Sequence, residues 1–199
     1  KARVALRINP NIDAKTHPYI STGLKKNKFG IDIEEAVEDY RRAQELPHLE
    51  VVGVACHIGS QITEVAPFVE ALARLKELIE RLRALDIRIR YLDLGGGLGI
   101  QYHDEEPPHP KEYGQKLLEH LKGLSCTLIL EPGRVLVGNA GILVTKVLYT
   151  KTGDAKHFII VDAGMNDLAR PSLYGSYHGL WPVVEAERPE VQASIVGPI

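Results

Sequence analysis

Three apolar runs in this chain end at a regular interval, and each ends in residues that a buried strand does not need. Residues 51–56 run into His57-Ile58-Gly59-Ser60-Gln61, residues 92–94 into Gly95-Gly96-Gly97-Leu98-Gly99-Ile100, and residues 127–130 into Glu131-Pro132-Gly133-Arg134. The endings fall at residues 57, 94 and 131, a spacing of about 37 residues, which is the scale of one strand–helix unit. In a parallel barrel, residues just past the C-terminal ends of the strands line the active site. Together the three endings bring an imidazole, a hydroxyl, glycine amides, a carboxylate and a guanidinium, a set suited to a phosphorylated aromatic cofactor with a ring nitrogen.

The segments between the endings carry helical periodicity. A strand over 4–8 precedes Asn9-Pro10-Asn11. The polar stretch 11–30 carries Lys25, Lys26 and Lys28, either a solvated basic loop or one with a lysine on a phosphate or carboxylate. Asp32 and Glu35 fit a capping box, and Ile33, Ala36, Val37, Tyr40 and Ala43 follow at helical spacing up to Pro47. Val65, Phe68, Val69, Leu72, Leu75, Leu78, Ile79, Leu82 and Leu85 form the clearest apolar stripe. A further helix opens at Pro110, buries Tyr113, Leu117, Leu118 and Leu121, and stops at Gly123. After Arg134 the pattern changes to strands over 142–149 and 157–161, with weaker ones near Val183 and Ile195. The reading is thus an α/β chain, with half of an eightfold (β/α) barrel over 1–138 and part of an all-β domain over 139–199. A half barrel has open edges, so the rest of the barrel is expected before residue 1, and both ends read as cuts within a longer protein.

Composition narrows the class without naming the chemistry. The 199 residues are 44% hydrophobic, and the net charge of −2 leaves no basic footprint for nucleic acid or an anionic membrane. No apolar run reaches the length of a membrane span. Cys56 and Cys126 have no metal or redox spacing and read as small core residues, in keeping with a cytoplasmic protein and no metal site.

The glycine stretch fails the dinucleotide fingerprint. Counted from Gly95-x-Gly97 the third position is Ile100, and from Gly97-x-Gly99 it is Tyr102. It also lacks the Gly-Lys-Ser/Thr of a P-loop. Glu131, at the end of an apolar strand, pays for desolvation and needs either a neighbouring arginine or a protonated heterocycle nitrogen.

With Arg170-Pro171-Ser172-Leu173-Tyr174 added, these endings resemble the pyridoxal-phosphate-dependent diaminopimelate decarboxylases, within the alanine-racemase-like barrel group that also holds ornithine and arginine decarboxylases. The resemblance runs along essentially the whole chain, and Arg7-Ile8-Asn9-Pro10 and Lys28-Phe29-Gly30 fit it too. It implies pyridoxal 5'-phosphate as cofactor and decarboxylation of meso-diaminopimelate to L-lysine and CO2. It implies catalytic roles for His57, on one face of the ring, and Glu131, at the ring nitrogen. Ser60, Gly95, Gly96 and Gly97 would hold the phosphate, with Gly133 and Arg134 completing that end. Arg134 would also reach a substrate carboxylate, and Arg170 and Tyr174 the distal end of the substrate. The cofactor-bearing lysine is expected before residue 1 and a catalytic cysteine after Ile199, so the piece alone is expected to be inactive. A homodimer with shared sites is implied for the parent protein.

Three other readings remain open. One is a non-catalytic regulator on the same fold. The second is a metal-dependent barrel hydrolase using His57, Glu131, His103 and Asp104. The third is a related decarboxylase for arginine, ornithine or a carboxylated polyamine.

Overall fold

A computed structural model describes residues 1–13, 29–153, 156–187, 189 and 191–199. Lys25, Lys26 and Lys28 lie outside them. The chain divides into two compact units, one of Lys1–Gln101 with Glu105–Ala140, the other of Tyr102–Asp104 with Gly141–Ile199.

The first unit is a parallel sheet with helices on one face. Its elements are β1 (Ala2–Asn9), β2 (Ile31–Asp32), α1 (Ala36–Glu45), β3 (Leu49–Ala55), α2 (Ala66–Arg83), β4 (Tyr91–Asp93), α3 (Pro110–His120), β5 (Thr127–Ile129), α4 (Arg134–Val137) and a 3-10 turn (Gly138–Ala140). Strand order is β2-β1-β3-β4-β5, every pair parallel. In register, Leu6, Val54, Leu92 and Leu128 share the face that packs into the core beneath the helices. The alternate residues Arg7, Ala55, Asp93 and Ile129 form one layer on the opposite face.

The stripe read from sequence is the buried face of α2, with Phe68, Leu72, Leu75, Leu78, Ile79 and Leu82 in the core. Truncating any of the leucines to alanine costs about 2–5 kcal/mol. Tyr40 of α1 is fully buried, and its hydroxyl donates to the Gly53 carbonyl at 2.8 Å, fixing helix to strand. Pro110 is the first residue of α3, behind an extended His109 whose Nδ1 accepts the Lys111 N–H at 3.1 Å.

Three expectations for this unit are corrected, and one element goes unread in the sequence. Two-residue β2 was not legible as a strand, being too short to show alternation. The capping box is absent, because Asp32 Oδ1 accepts from the Glu34 N–H at 3.1 Å and closes a turn ahead of α1, leaving Glu35 at the cap position without a side-chain bond. Leu118 is 64% exposed, since the buried side of α3 is narrow and is filled by Tyr113 and Leu117. Glu131 follows an edge strand of the described sheet and is exposed, so the desolvation argued for it does not apply here.

The second unit holds β6 (Val147–Thr152), β7 (His157–Val161), α5 (Arg170–Tyr174) and β8 (Ala193–Val196). Strand β7 pairs antiparallel with β6 and parallel with β8. The expected strand over 142–149 begins only at Val147. Just before it, the Asp162 carboxylate takes the Lys146 N–H at 2.8 Å and the Thr145 hydroxyl at 2.6 Å, beside one backbone bond from the Asp162 N–H to the Lys146 carbonyl at 3.1 Å. No strand forms near Val183, where Pro182 removes a donor and the two valines are exposed. A residue before proline ordinarily takes extended backbone, and Arg170 does not. Arg170 opens α5, and Pro171 sits in the first turn, where its missing N–H is not needed.

Candidate active site

The parallel ladder continues beyond the strands and brings their endings together. The Cys56 N–H donates to the Asp93 carbonyl at 2.8 Å, Leu94 to Ile129 at 3.1 Å, and Glu131 to Gly95 at 2.8 Å. His57, Gly95 and Glu131 therefore lie one layer above Ala55, Asp93 and Ile129. A second short bridge follows, Ile62 N–H to the Gly97 carbonyl and Gly99 N–H to the Ile62 carbonyl, both at 2.9 Å.

The glycines answer first to this close packing. A Cβ on Gly95 would meet the Cys56 carbonyl, one on Gly96 the Glu131 carbonyl, and one on Gly97 the Gly59 carbonyl. Gly95 and Gly97 also hold φ of +68° and +107°, where a side chain is strained. The three amides do not all face a ligand. The Gly95 N–H donates to Asp93 Oδ1 at 2.8 Å and the Gly96 N–H to His57 Nδ1 at 3.3 Å. Among the described residues, the Gly97 N–H meets no acceptor.

Electrostatics separate His57 from Cys56. Burial, then Arg7, push the proton affinity of His57 below the usual imidazole value, against the pull of Asp93. Burial pushes the Cys56 thiol up to about 12, with Asp93 and Glu131 adding to it and Arg7 opposing. Cys56 is therefore no thiolate near neutral pH, in line with its reading as a core residue.

Arg134 opens α4 and its Nη1 donates to Gln61 Oε1 at 3.3 Å. Ser60 is half-buried beside Gln61, while Glu131 and Gly133 are exposed. Sequence reasoning missed Asp93 and Gln61. An aspartate as the last strand residue before glycines is an Asx-turn signal and could have been found; nothing in the sequence around Gln61 marks its bonds. Arg170 and Tyr174 belong to the second unit. The Arg170 guanidinium lies 5.4 Å from the Tyr174 ring centroid and 6.0 Å from that of Tyr102, and its Nη2 donates to Ser176 Oγ at 3.2 Å. His103 and Asp104, considered for a metal, pair at 2.7 Å in that same unit with both side chains exposed.

An open depression of about 560 Å³ lies elsewhere, lined by Arg88, Arg90, Leu124, Ser125, Cys126 and Thr127. It sits where β4 and β5 begin, the wrong end for barrel chemistry.

A family model described as "Pyridoxal-dependent decarboxylase, pyridoxal binding domain" matches residues 1–138. The chain belongs to this family. Within the pyridoxal-dependent decarboxylases it is 56% identical over 203 residues to diaminopimelate decarboxylase of Pseudomonas aeruginosa, and 52% identical over 200 residues to that of Aquifex aeolicus. Both matches take in 100% of this chain and 48% of the relative, so the chain spans about half the length of these curated relatives. The crystal structure of diaminopimelate decarboxylase from Helicobacter pylori complexed with L-lysine superposes with a TM-score of 0.92 at 48% identity, over 100% of this chain and 50% of that one. No helix among the described residues is long and apolar enough to cross a membrane.

Proposed function

We propose that the protein containing this chain decarboxylates meso-diaminopimelate to L-lysine with pyridoxal 5'-phosphate, and that the endings of β3, β4 and β5 are its cofactor site. The observation that carries the reading is the ladder that stacks His57, Gly95 and Glu131 in one layer, with the Gly97 N–H meeting no acceptor among the described residues. The residues fit the group. An amide N–H in a glycine turn and the Ser60 hydroxyl suit a phosphate. His57, held neutral with its Nδ1 on Gly96, offers a flat uncharged ring face. The exposed Glu131 carboxylate suits a protonated ring nitrogen.

When bound, the cofactor supplies an electron sink for the pair left as CO2 departs. The chain's own residues do the rest. Glu131 holds a proton at the ring nitrogen by its charge. His57 covers one ring face and excludes water there. Arg134 takes a substrate carboxylate through its planar fork. Arg170 and Tyr174 recognise the distal carboxylate and amine, which ornithine and arginine do not both carry. The homodimer rests on the family resemblance, and the free thiols of Cys56 and Cys126 suit a reducing, cytoplasmic setting.

The test is turnover by the full-length protein loaded with pyridoxal phosphate, with CO2 and L-lysine measured from meso-diaminopimelate against ornithine, arginine and L-lysine as competing substrates. The reading requires diaminopimelate to lead by at least about tenfold in kcat/KM. Preference for ornithine or arginine would overturn the substrate assignment, and no CO2 from any of them would overturn the enzyme.

A further inference from the structure

The three strand endings are cross-tied by one side chain that the proposed chemistry does not use. Gln61 follows β3, yet its Nε2 donates to the Ile100 carbonyl at 2.5 Å and its Oε1 accepts the Ile100 N–H at 3.2 Å. The amide thus pairs with the glycine loop after β4 as a neighbouring strand would. The same Oε1 accepts from Arg134 Nη1, after β5, at 3.3 Å. Two features of the backbone serve this arrangement. Gln61 holds φ of +57°, a left-handed conformation rare for a residue with a side chain. Gly99 lies so close that a Cβ there would stand 3.3 Å from both Cδ and Oε1 of Gln61.

We infer that Gln61 is a positioning residue that aims the Arg134 guanidinium at the substrate carboxylate without neutralising it. The amide is the chemical group that does this. It is uncharged, so its own contact sets no opposing charge against the guanidinium. Its donor and acceptor are both engaged by Ile100, so the oxygen that meets Arg134 cannot swing away. A carboxylate in its place would hold Arg134 as an ion pair and repel the Ile100 carbonyl. This inference rests on Arg134 being a carboxylate-binding residue.

The test is a double-mutant cycle in the full-length protein, with Gln61→Asn, Arg134→Ala and the pair. Asparagine tolerates the left-handed backbone but is one methylene too short to reach Ile100 and Arg134 together. Gln61→Glu is the companion, keeping length and losing neutrality. For each variant the readouts are kcat and KM for meso-diaminopimelate, binding of pyridoxal phosphate to the apoprotein by absorbance, and thermal melting. Gln61→Asn is expected to raise KM about tenfold with kcat within about twofold, and Gln61→Glu to raise KM at least as much. Cofactor affinity is expected to stay within about twofold in both. Arg134→Ala is expected to cost about 100-fold in kcat/KM, and the pair no more than Arg134→Ala alone, because both act through one guanidinium. Additive losses, or an unchanged KM in Gln61→Asn, would reduce Gln61 to a loop fastener while leaving the Arg134 assignment intact. Wild-type kinetics in Arg134→Ala would overturn that assignment and the role of Gln61 with it.

Discussion

The Gly96 N–H donates to His57 Nδ1 at 3.3 Å, joining the loop after β4 to the imidazole after β3. The bond needs the Nδ1 lone pair, so the neutral ring carries its proton on Nε2. It also ties the orientation of the imidazole to the glycine loop, two groups proposed above to meet the cofactor.

That coupling makes His57 sensitive to acid. Its folded-state pKa lies below the unfolded value of about 6.5. Its contribution to stability is therefore complete above about pH 6.5 and is lost as pH falls through the folded value. The His57 imidazole resonance in the full-length protein is expected to titrate with a midpoint under about 6.5, and a midpoint at or above that value contradicts the assignment.

Two glycines in the first unit are expected to respond in opposite ways to alanine. A Cβ at Gly96 would run into the Glu131 carbonyl, whereas one at Gly114, within α3, meets nothing within 4 Å. Gly96→Ala is expected to cost about 1–3 kcal/mol by overpacking. Gly114→Ala is expected to add about 0.5–1 kcal/mol by restricting the unfolded chain. Denaturant melts of the full-length protein check both signs.

Arg170→Ala tests recognition at the far end of the substrate. The Nε of Arg170 is buried and meets no acceptor among the described residues, which suits a group still able to take a ligand's carboxylate. Specificity for diaminopimelate is expected to fall roughly 30-fold, with a much smaller loss for L-lysine, which lacks the distal carboxylate. Equal losses for both substrates would assign Arg170 to the fold. Arg170→Lys is not expected to rescue, because an ammonium has no planar fork.

The sequence was most legible where burial and punctuation agree. The stripe from Phe68 to Leu82 has one solution as a helix, and Pro110 could only open one. The endings at His57, Gly95 and Glu131 were legible because apolar runs stop there against residues a core does not hold. The reason for the glycines was not legible. It lies in three carbonyls, those of Cys56, Glu131 and Gly59, that approach from other loops. A valine at Gly97 would therefore disturb the Gly59 turn whatever it does to the proposed cofactor site, and makes a poor probe of binding alone. The backbone of Arg170 shows the same dependence on context, since the local rule against helix before proline yields when proline lands in the first turn. Gln61 carried no signal, because a glutamine joining three loops is defined only once the loops have met.

The most direct measurement of the central claim is the decarboxylation rate of full-length Glu131→Gln under saturating pyridoxal phosphate and meso-diaminopimelate, with cofactor occupancy read by absorbance. Glutamine keeps the shape of the side chain and removes the charge proposed to hold a proton on the ring nitrogen. Occupancy is expected to remain near wild type, because Ser60 and Gly97 are untouched, while kcat falls by about 100-fold. A fully loaded variant that turns over at the wild-type rate would contradict the placing of Glu131 at the ring nitrogen, and with it the reading of these strand endings as the cofactor site.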